Sequence, residues 1–396
     1  MNHYIVILLL IIFLIIGSNN KSEYNNKSEY NNKSEYNKKK KLYNNYQPLM
    51  FTEESIILRE HFFSKSEVSD TNELKLLYDY LRKIKLSPIN ITYSKYDIPY
   101  KSFGLFLNIP FSINQEEIIS KSSVRFTMKN TKVILNVYSD KNKKQLMNEL
   151  ISIIRFMGSL SKIRLSKLTL NLYLFSNKKV LEKTPSKKTL NRNEINSGYC
   201  QLGDETDIVI YREEELIKVT IHELIHAFRY DNIKDSQEII KYYQKKYNIS
   251  SDRINSNEAY TEIWANIINC FIISQKVKRS QYNLFLILIA LEREFCNYQS
   301  EKIFDLTNLS KEKIDINEKT NVLSYFIIRC ELYQKLTQFL KFCRLYNKNY
   351  IQLYNKNKWY NLLKKNKLLK MNKKWIKINH NFLINTMRMS LNEIIF

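Results

Sequence analysis

The stretch Val219–Tyr230, VTIHELIHAFRY, places two of the five histidines, His222 and His226, four residues apart and sets Glu223 directly after the first. On a helix, residues four apart stack on the same side. Two imidazoles so placed can converge on one ion at about 2.0–2.1 Å per bond. Glu223, turned about 100° from His222, then borders the open coordination position. A carboxylate there can take a proton from a zinc-bound water, whose pKa falls towards about 7, and later protonate a leaving amine.

The flanking residues predict a buried helix beginning at Glu213. Ile217, Ile221, Leu224, Ile225 and Phe228 recur at steps of three and four and make an apolar stripe. Glu213, Glu214 and Glu215 fall in the expected first turn, where carboxylates favour the positive end of the helix dipole. A third ligand is offered by Asn257–Ala265, NEAYTEIWA, which opens a second helix. Glu258 and Glu262 share a face of it. One can bind the metal while the other accepts a hydrogen bond from the far nitrogen of a ligating histidine. Asp231, five residues past His226, is a poor geometric candidate for a ligand. No glycine follows to complete an H-x-x-G-x-x-H extension, and the next histidine is His380.

His222-Glu223-x-x-His226 followed by Asn257-Glu258-Ala-x-x-Glu262 resembles the gluzincin clan of zinc metallopeptidases, in its thermolysin-like and lethal-factor-like members. The likeness spans roughly residues 207–270. YREEELIKVTIHELIH also bears a slighter similarity to uncharacterised zincin-like proteins of large DNA viruses. The resemblance implies one Zn2+ per chain held by His222, His226 and Glu258, with Glu223 as the catalytic base and Glu262 supporting a histidine. It implies a hydrolase, a metallopeptidase acting on peptide or protein substrates. Related enzymes use a downstream His or Tyr to stabilise the oxyanion. Tyr325 is the catalytic candidate for that role here, with Tyr247, Tyr260 and His380 as alternatives. Extended substrate would lie along Asp207–Arg212 or Asn196–Cys200.

Alternation in Lys132–Ser139 and Leu168–Phe175 predicts two half-buried strands, and Lys143–Leu160 between them has helical spacing. Asp207–Arg212 is a third strand. Only five glycines and five prolines occur, none past Gly203, so the C-terminal half reads as mainly helical. The expected class is α+β: a zincin-like domain with a small twisted sheet packed on the active-site helix, then a mainly helical lobe. The α/β part of the catalytic domain would cover residues 51–205, the zinc-binding helical part 206–345, and a basic helical tail 346–396.

The formal net charge is +24, and Lys341–Ser390 contains no Asp or Glu. With Trp359, Tyr360 and Trp375 interleaved, that tail could bind nucleic acid or an anionic membrane surface; composition makes a solvated basic helix pair the plainer expectation. A non-catalytic zincin-like scaffold, or a basic nucleic-acid or membrane binder, is therefore the alternative to the enzyme. Five widely spaced cysteines without a C-x-x-C exclude a disulfide framework and a cysteine zinc site. Tyr4–Ile16 is an apolar run of the length of a secretory signal, so residues 1–18 read as a signal peptide or anchor, and the protein as secreted or membrane-anchored. NKSEYN, repeated three times over Asn20–Asn37, marks 19–50 as a low-complexity tether.

Overall fold

The computed structural model describes residues 49–99, 118–140, 142–181, 190–249, 254–307, 320–366 and 380–395. The expected signal segment and the NKSEYN tether lie outside the described residues. Among those described, no helix is long and apolar enough to cross a membrane.

Two helices, α1 (Glu53–Phe63) and α2 (Asn72–Arg82), precede β1 (Ile89–Pro99), β2 (Ser120–Met128) and β3 (Thr131–Ser139). Then come α3 (Lys144–Leu160), β4 (Lys167–Tyr173), a single turn α4 (Arg192–Ile195), β5 (Gly198–Gln201) and β6 (Glu205–Ile210). The helical half follows: α5 (Leu216–Ala227), α6 (Gln237–Tyr247), α7 (Ser256–Ser274) and α8 (Gln281–Thr307). A π-helical turn (Leu323–Ile328) leads into α9 (Arg329–Gln334), α10 (Leu336–Tyr346), α11 (Lys356–Lys364) and α12 (Asn381–Asn385).

The six strands form one mixed sheet in the order β1-β2-β3-β4-β6-β5. β3, β4 and β6 run parallel, while β1, β2 and β5 pair antiparallel to their neighbours. Register explains why the alternating sequence makes a core. Val133, Leu135 and Val137 stand opposite Leu168, Leu170 and Leu172, and the last two stand opposite Ile208 and Ile210. All eight are buried in one apolar layer. The opposite face holds Tyr138, Tyr173, Phe175 and Tyr211, with the first two rings stacked at 4.4 Å. α3 packs on β2 and on α5; Gly158 allows this, because a Cβ there would sit 2.2 Å from Met128 Cε.

Four expectations need correcting. The sheet is larger than the three strands foreseen, since the short alternations of Ile89, Ile91 and Tyr93 in β1 and of Val124, Phe126 and Met128 in β2 also form strands. The helix with the histidines begins at Leu216, not Glu213. Glu215 caps it in the left-handed region (φ 59°, ψ 25°), and both Glu214 and Glu215 are buried against cations rather than spread over a first turn. A boundary at residue 206 would cut through β6, which is paired on both edges. Within the tail, residues 367–379 with Trp375 lie outside the described residues, and the described remainder is not a solvated helix pair. Trp359, Leu363, Met387, Arg388 and Leu391 are interior, and Leu49–Phe396 forms one compact unit. Charge runs in this tail conceal side chains that pack or pair inside.

Candidate metal centre

α5 is sandwiched between the β5–β6 edge of the sheet and α7, so even its polar residues are enclosed. His222 and Glu223 are each 6% exposed. His222 Nε2 and His226 Nε2 lie 3.1 Å apart, and Glu258 Oε2 from α7 is 3.5 Å from the first and 3.4 Å from the second. Ligand atoms bound tetrahedrally to one ion at about 2.0–2.1 Å would be separated by about 3.3–3.4 Å. These are the three residues whose donor atoms close into a metal-sized group among the described residues.

The far side of each ring fixes its tautomer. His222 Nδ1 is 2.8 Å from Glu262 Oε2, and His226 Nδ1 is 2.7 Å from Asp231 Oδ2. A carboxylate only accepts, so each Nδ1 carries the proton and each Nε2 presents a lone pair to the triangle. Three acceptors facing one another at this range repel unless a cation or proton lies among them. Burial opposes charge on His226, yet Asp231 and Glu258 raise its pKa well above the ordinary value. Burial likewise pushes Glu258 up, but His226 and His222 outweigh it and hold the carboxyl well below the usual range. Four carboxylates gather here: Glu223, Asp231, Glu258 and Glu262. They face two cationic side chains, Lys218 and Arg329, both on Glu262. The two uncompensated negative charges match one divalent cation, and the N2O donor set suits zinc.

Glu223 lies on the sheet side. A Cβ on Gly198 would come within 3.3 Å of Glu223 Oε1 and 2.7 Å of Val209 O, so β5 approaches the carboxyl closely only because residue 198 has no side chain. Burial raises the pKa of Glu223. A cavity of about 30 Å3 lined by Gly198, His222, Glu223 and Tyr325 leaves room for a water molecule.

The structure thus brings together His222, Glu223, His226, Glu258, Glu262 and Tyr325. Of the two roles open to the α7 carboxylates, Glu258 faces the imidazole Nε2 atoms and Glu262 backs His222. Tyr325 sits in the π-helical turn, where its hydroxyl donates to Glu258 Oε2 at 3.1 Å. Arg329, four residues on, donates to Glu262 Oε1 at 3.1 Å. Tyr247 and Tyr260 are elsewhere, bound to Glu331 and to the Ile351 carbonyl, and His380 is exposed beside Phe382. β6 is interior to the sheet and β5 is its edge, so of the two substrate strands suggested by sequence only Gly198–Gln201 has a free side. Cys200 lies on that edge, its thiol pushed up to about 12 by burial and by Glu223, which makes it a poor nucleophile.

Sequence reasoning weighed Asp231 only as a poor ligand and passed over Lys218 and Arg329. Asp231 is no ligand, but it is the partner of His226, and Thr261 Oγ1 donates to it at 2.9 Å. Lys218 had a signal, since it precedes His222 by four on the same helix face. Arg329 bears the same relation to Tyr325.

No family model matches the chain, and no solved structure matches it. Uncharacterized protein R210 of Acanthamoeba polyphaga mimivirus is similar, with 24% identity over 261 residues, which cover 60% of this chain and 66% of that protein. The chain therefore spans just under two thirds of that relative's length.

Proposed function

We propose that this chain is a zinc-dependent metallopeptidase with a zincin-like core. The observation that carries the reading is the triangle of His222 Nε2, His226 Nε2 and Glu258 Oε2, three acceptors at ligand spacing with Glu223 alongside. These three residues would hold one zinc ion, which when bound supplies Lewis acidity and lowers the pKa of water by several units. Glu223 then takes the proton and delivers it to the departing amine. Its burial favours that exchange by bringing the carboxyl closer to neutral pH. Tyr325 O–H is the donor assigned to the developing oxyanion. Glu262 and Asp231 keep both imidazoles in the ligating tautomer. The free side of β5 would pair with an extended peptide backbone. An apolar N-terminal segment would direct this activity to a membrane or a secretory lumen.

One observation favours a second reading, a zinc-holding scaffold without turnover. The cavity that Glu223 lines with His222 and Tyr325 is small, about 30 Å3, as suits a centre that holds zinc without a substrate cleft. Among the described residues of the basic tail, Trp359 and Tyr360 are interior and do not offer their rings to nucleic acid.

Glu223→Gln separates the readings. The purified wild type should contain one zinc per chain and cleave members of a peptide library in a chelator-sensitive way. The variant should keep its zinc and lose at least about 10²–10⁴-fold in rate. Equal rates would remove Glu223 from the chemistry; a zinc-loaded wild type that cleaves nothing leaves the scaffold.

A further inference from the structure

Residues 383–393 are held as an enzyme holds a bound peptide, through their backbone and by buried polar side chains. Lys302 Nζ, from α8, donates to the carbonyls of Leu383, Ile384 and Thr386 at 3.1, 3.2 and 2.5 Å. Gln299 Nε2 donates to the carbonyls of Thr386 and Arg388 at 3.2 and 2.6 Å. Asn269 Nδ2 does the same for Asn392 at 2.9 Å. The N–H groups are taken by two carboxylates. Met389 N and Ser390 N donate to Glu215, and Leu391 N and Asn392 N each donate to Glu292 Oε1 at 3.0 Å. The segment also bridges to Val180 at Thr386 and to Phe51 at Ile394.

One of these bonds leads to the metal centre. The two N–H groups of Arg329 Nη1 are shared among three acceptors, Met389 O at 2.6 Å, Asn266 Oδ1 at 3.0 Å and Glu262 Oε1 at 3.1 Å. Glu262 in turn holds His222 Nδ1. Met389 lines the small cavity with His222 and Glu223. Arg329 is only 1% exposed, so its guanidinium position is set by these acceptors and not by solvent.

We propose that residues 383–393 are a strap that completes the metal centre, with Arg329 as the positioning residue that passes its seating to Glu262 and His222. This rests on the metal-centre reading above. That guanidinium, together with Lys218 Nζ, holds Glu262 Oε1 and leaves Oε2 aimed at the imidazole. If the strap loosens, Met389 O is withdrawn, Arg329 loses one of three anchors, and the carboxylate that sets His222 gains freedom. Outer partners of this kind are typically worth about 10–100-fold in metal affinity. The centre is therefore complete only when residues 383–393 are seated.

The test is zinc affinity by competition with a chromophoric chelator, together with the visible spectrum of the Co2+-loaded full-length protein and the unfolding temperature of the metal-free protein. Arg329→Gln should bind zinc 10–100-fold more weakly and alter the Co2+ bands, and Arg329→Lys should recover part of both. Lys302→Met, at a side chain whose hydrogen bonds go to strap carbonyls and whose ammonium lies 5.1 Å from the Tyr298 ring centroid, should shift affinity and bands in the same direction, with no further loss when combined with Arg329→Gln. Gln299→Ala is the milder substitution for the same purpose should Lys302→Met not fold. Strap variants that lower only the unfolding temperature, with zinc affinity and Co2+ bands unchanged, overturn the proposal. A wild type that binds no zinc at all would instead remove the metal-centre reading on which it rests.

Discussion

At the scale of single residues, the centre is organised by what stands behind the ligands. His226 has one partner on Nδ1, the Asp231 carboxylate, which is itself fixed by Thr261. Asp231→Asn keeps the size of the side chain but replaces an obligatory acceptor by a group that can also donate, so the ring can turn or take the other tautomer. Zinc affinity should fall by about 10–100-fold, seen in a chelator competition titration, while the metal-free protein unfolds at nearly the wild-type temperature. An unchanged affinity would mean that the ring is held by packing alone. The histidines, Glu223 and the α7 carboxylates were legible in sequence because helical spacing dictates which residues share a face. Asp231 was not, since it lies beyond the helix end, where Arg229 turns the chain through a left-handed backbone (φ 52°) and no periodicity operates.

At the scale of elements, the decisive pair is α5 and α7, with the π-helical turn laid across them. Tyr325 and Arg329 are one turn apart, as are Glu258 and Glu262, so two rungs join the segments. π-helical turns are rare and frequent at functional sites; no composition rule announces one, so this turn was invisible in sequence. β3, β4, α3 and α5 were visible because their apolar periods are strong, whereas β1 has only the short alternation of Ile89, Ile91 and Tyr93 and is mostly exposed. The tail was misjudged for a different reason. Trp359 sits among lysines, yet its ring is fully buried against Tyr260 at 5.4 Å and Phe342 at 5.7 Å, and its Nε1 donates to Ser256 Oγ at the start of α7. Lysine stems reach solvent while the ring between them packs inward. Trp359→Ala should therefore cost about 3–5 kcal/mol, read as a lower denaturant midpoint. A solvated tail would show almost no change.

At the scale of the whole molecule, stability depends on buried charge that joins distant parts of the chain. Glu215 meets Lys179 from the segment after β4, and lies in the field of Lys218 on α5 and Arg388 on the strap. Burial pushes its carboxyl up, but these three cations together bring it down to about 2, against an ordinary 4.5. Strap N–H groups add to the same direction. A carboxyl depressed on folding binds its proton more weakly folded than unfolded. Its contribution is present in full above pH 4.5 and is lost as the pH falls towards 2. Glu214 and Glu292 act oppositely: burial raises both, so their contribution is greatest in acid and declines as the pH rises through their folded pKa values. The acid limb of wild-type stability is therefore the balance of these groups, and Glu215→Gln isolates one of them. The variant should be less stable at neutral pH, because Lys179 and Arg388 lose a buried counter-charge, and the gap from wild type should narrow between pH 4.5 and 2. Denaturant unfolding of both metal-free proteins across that range measures it. A gap that stays constant with pH would show that Glu215 holds its neighbours by shape and hydrogen bonding, without a contribution from its charge.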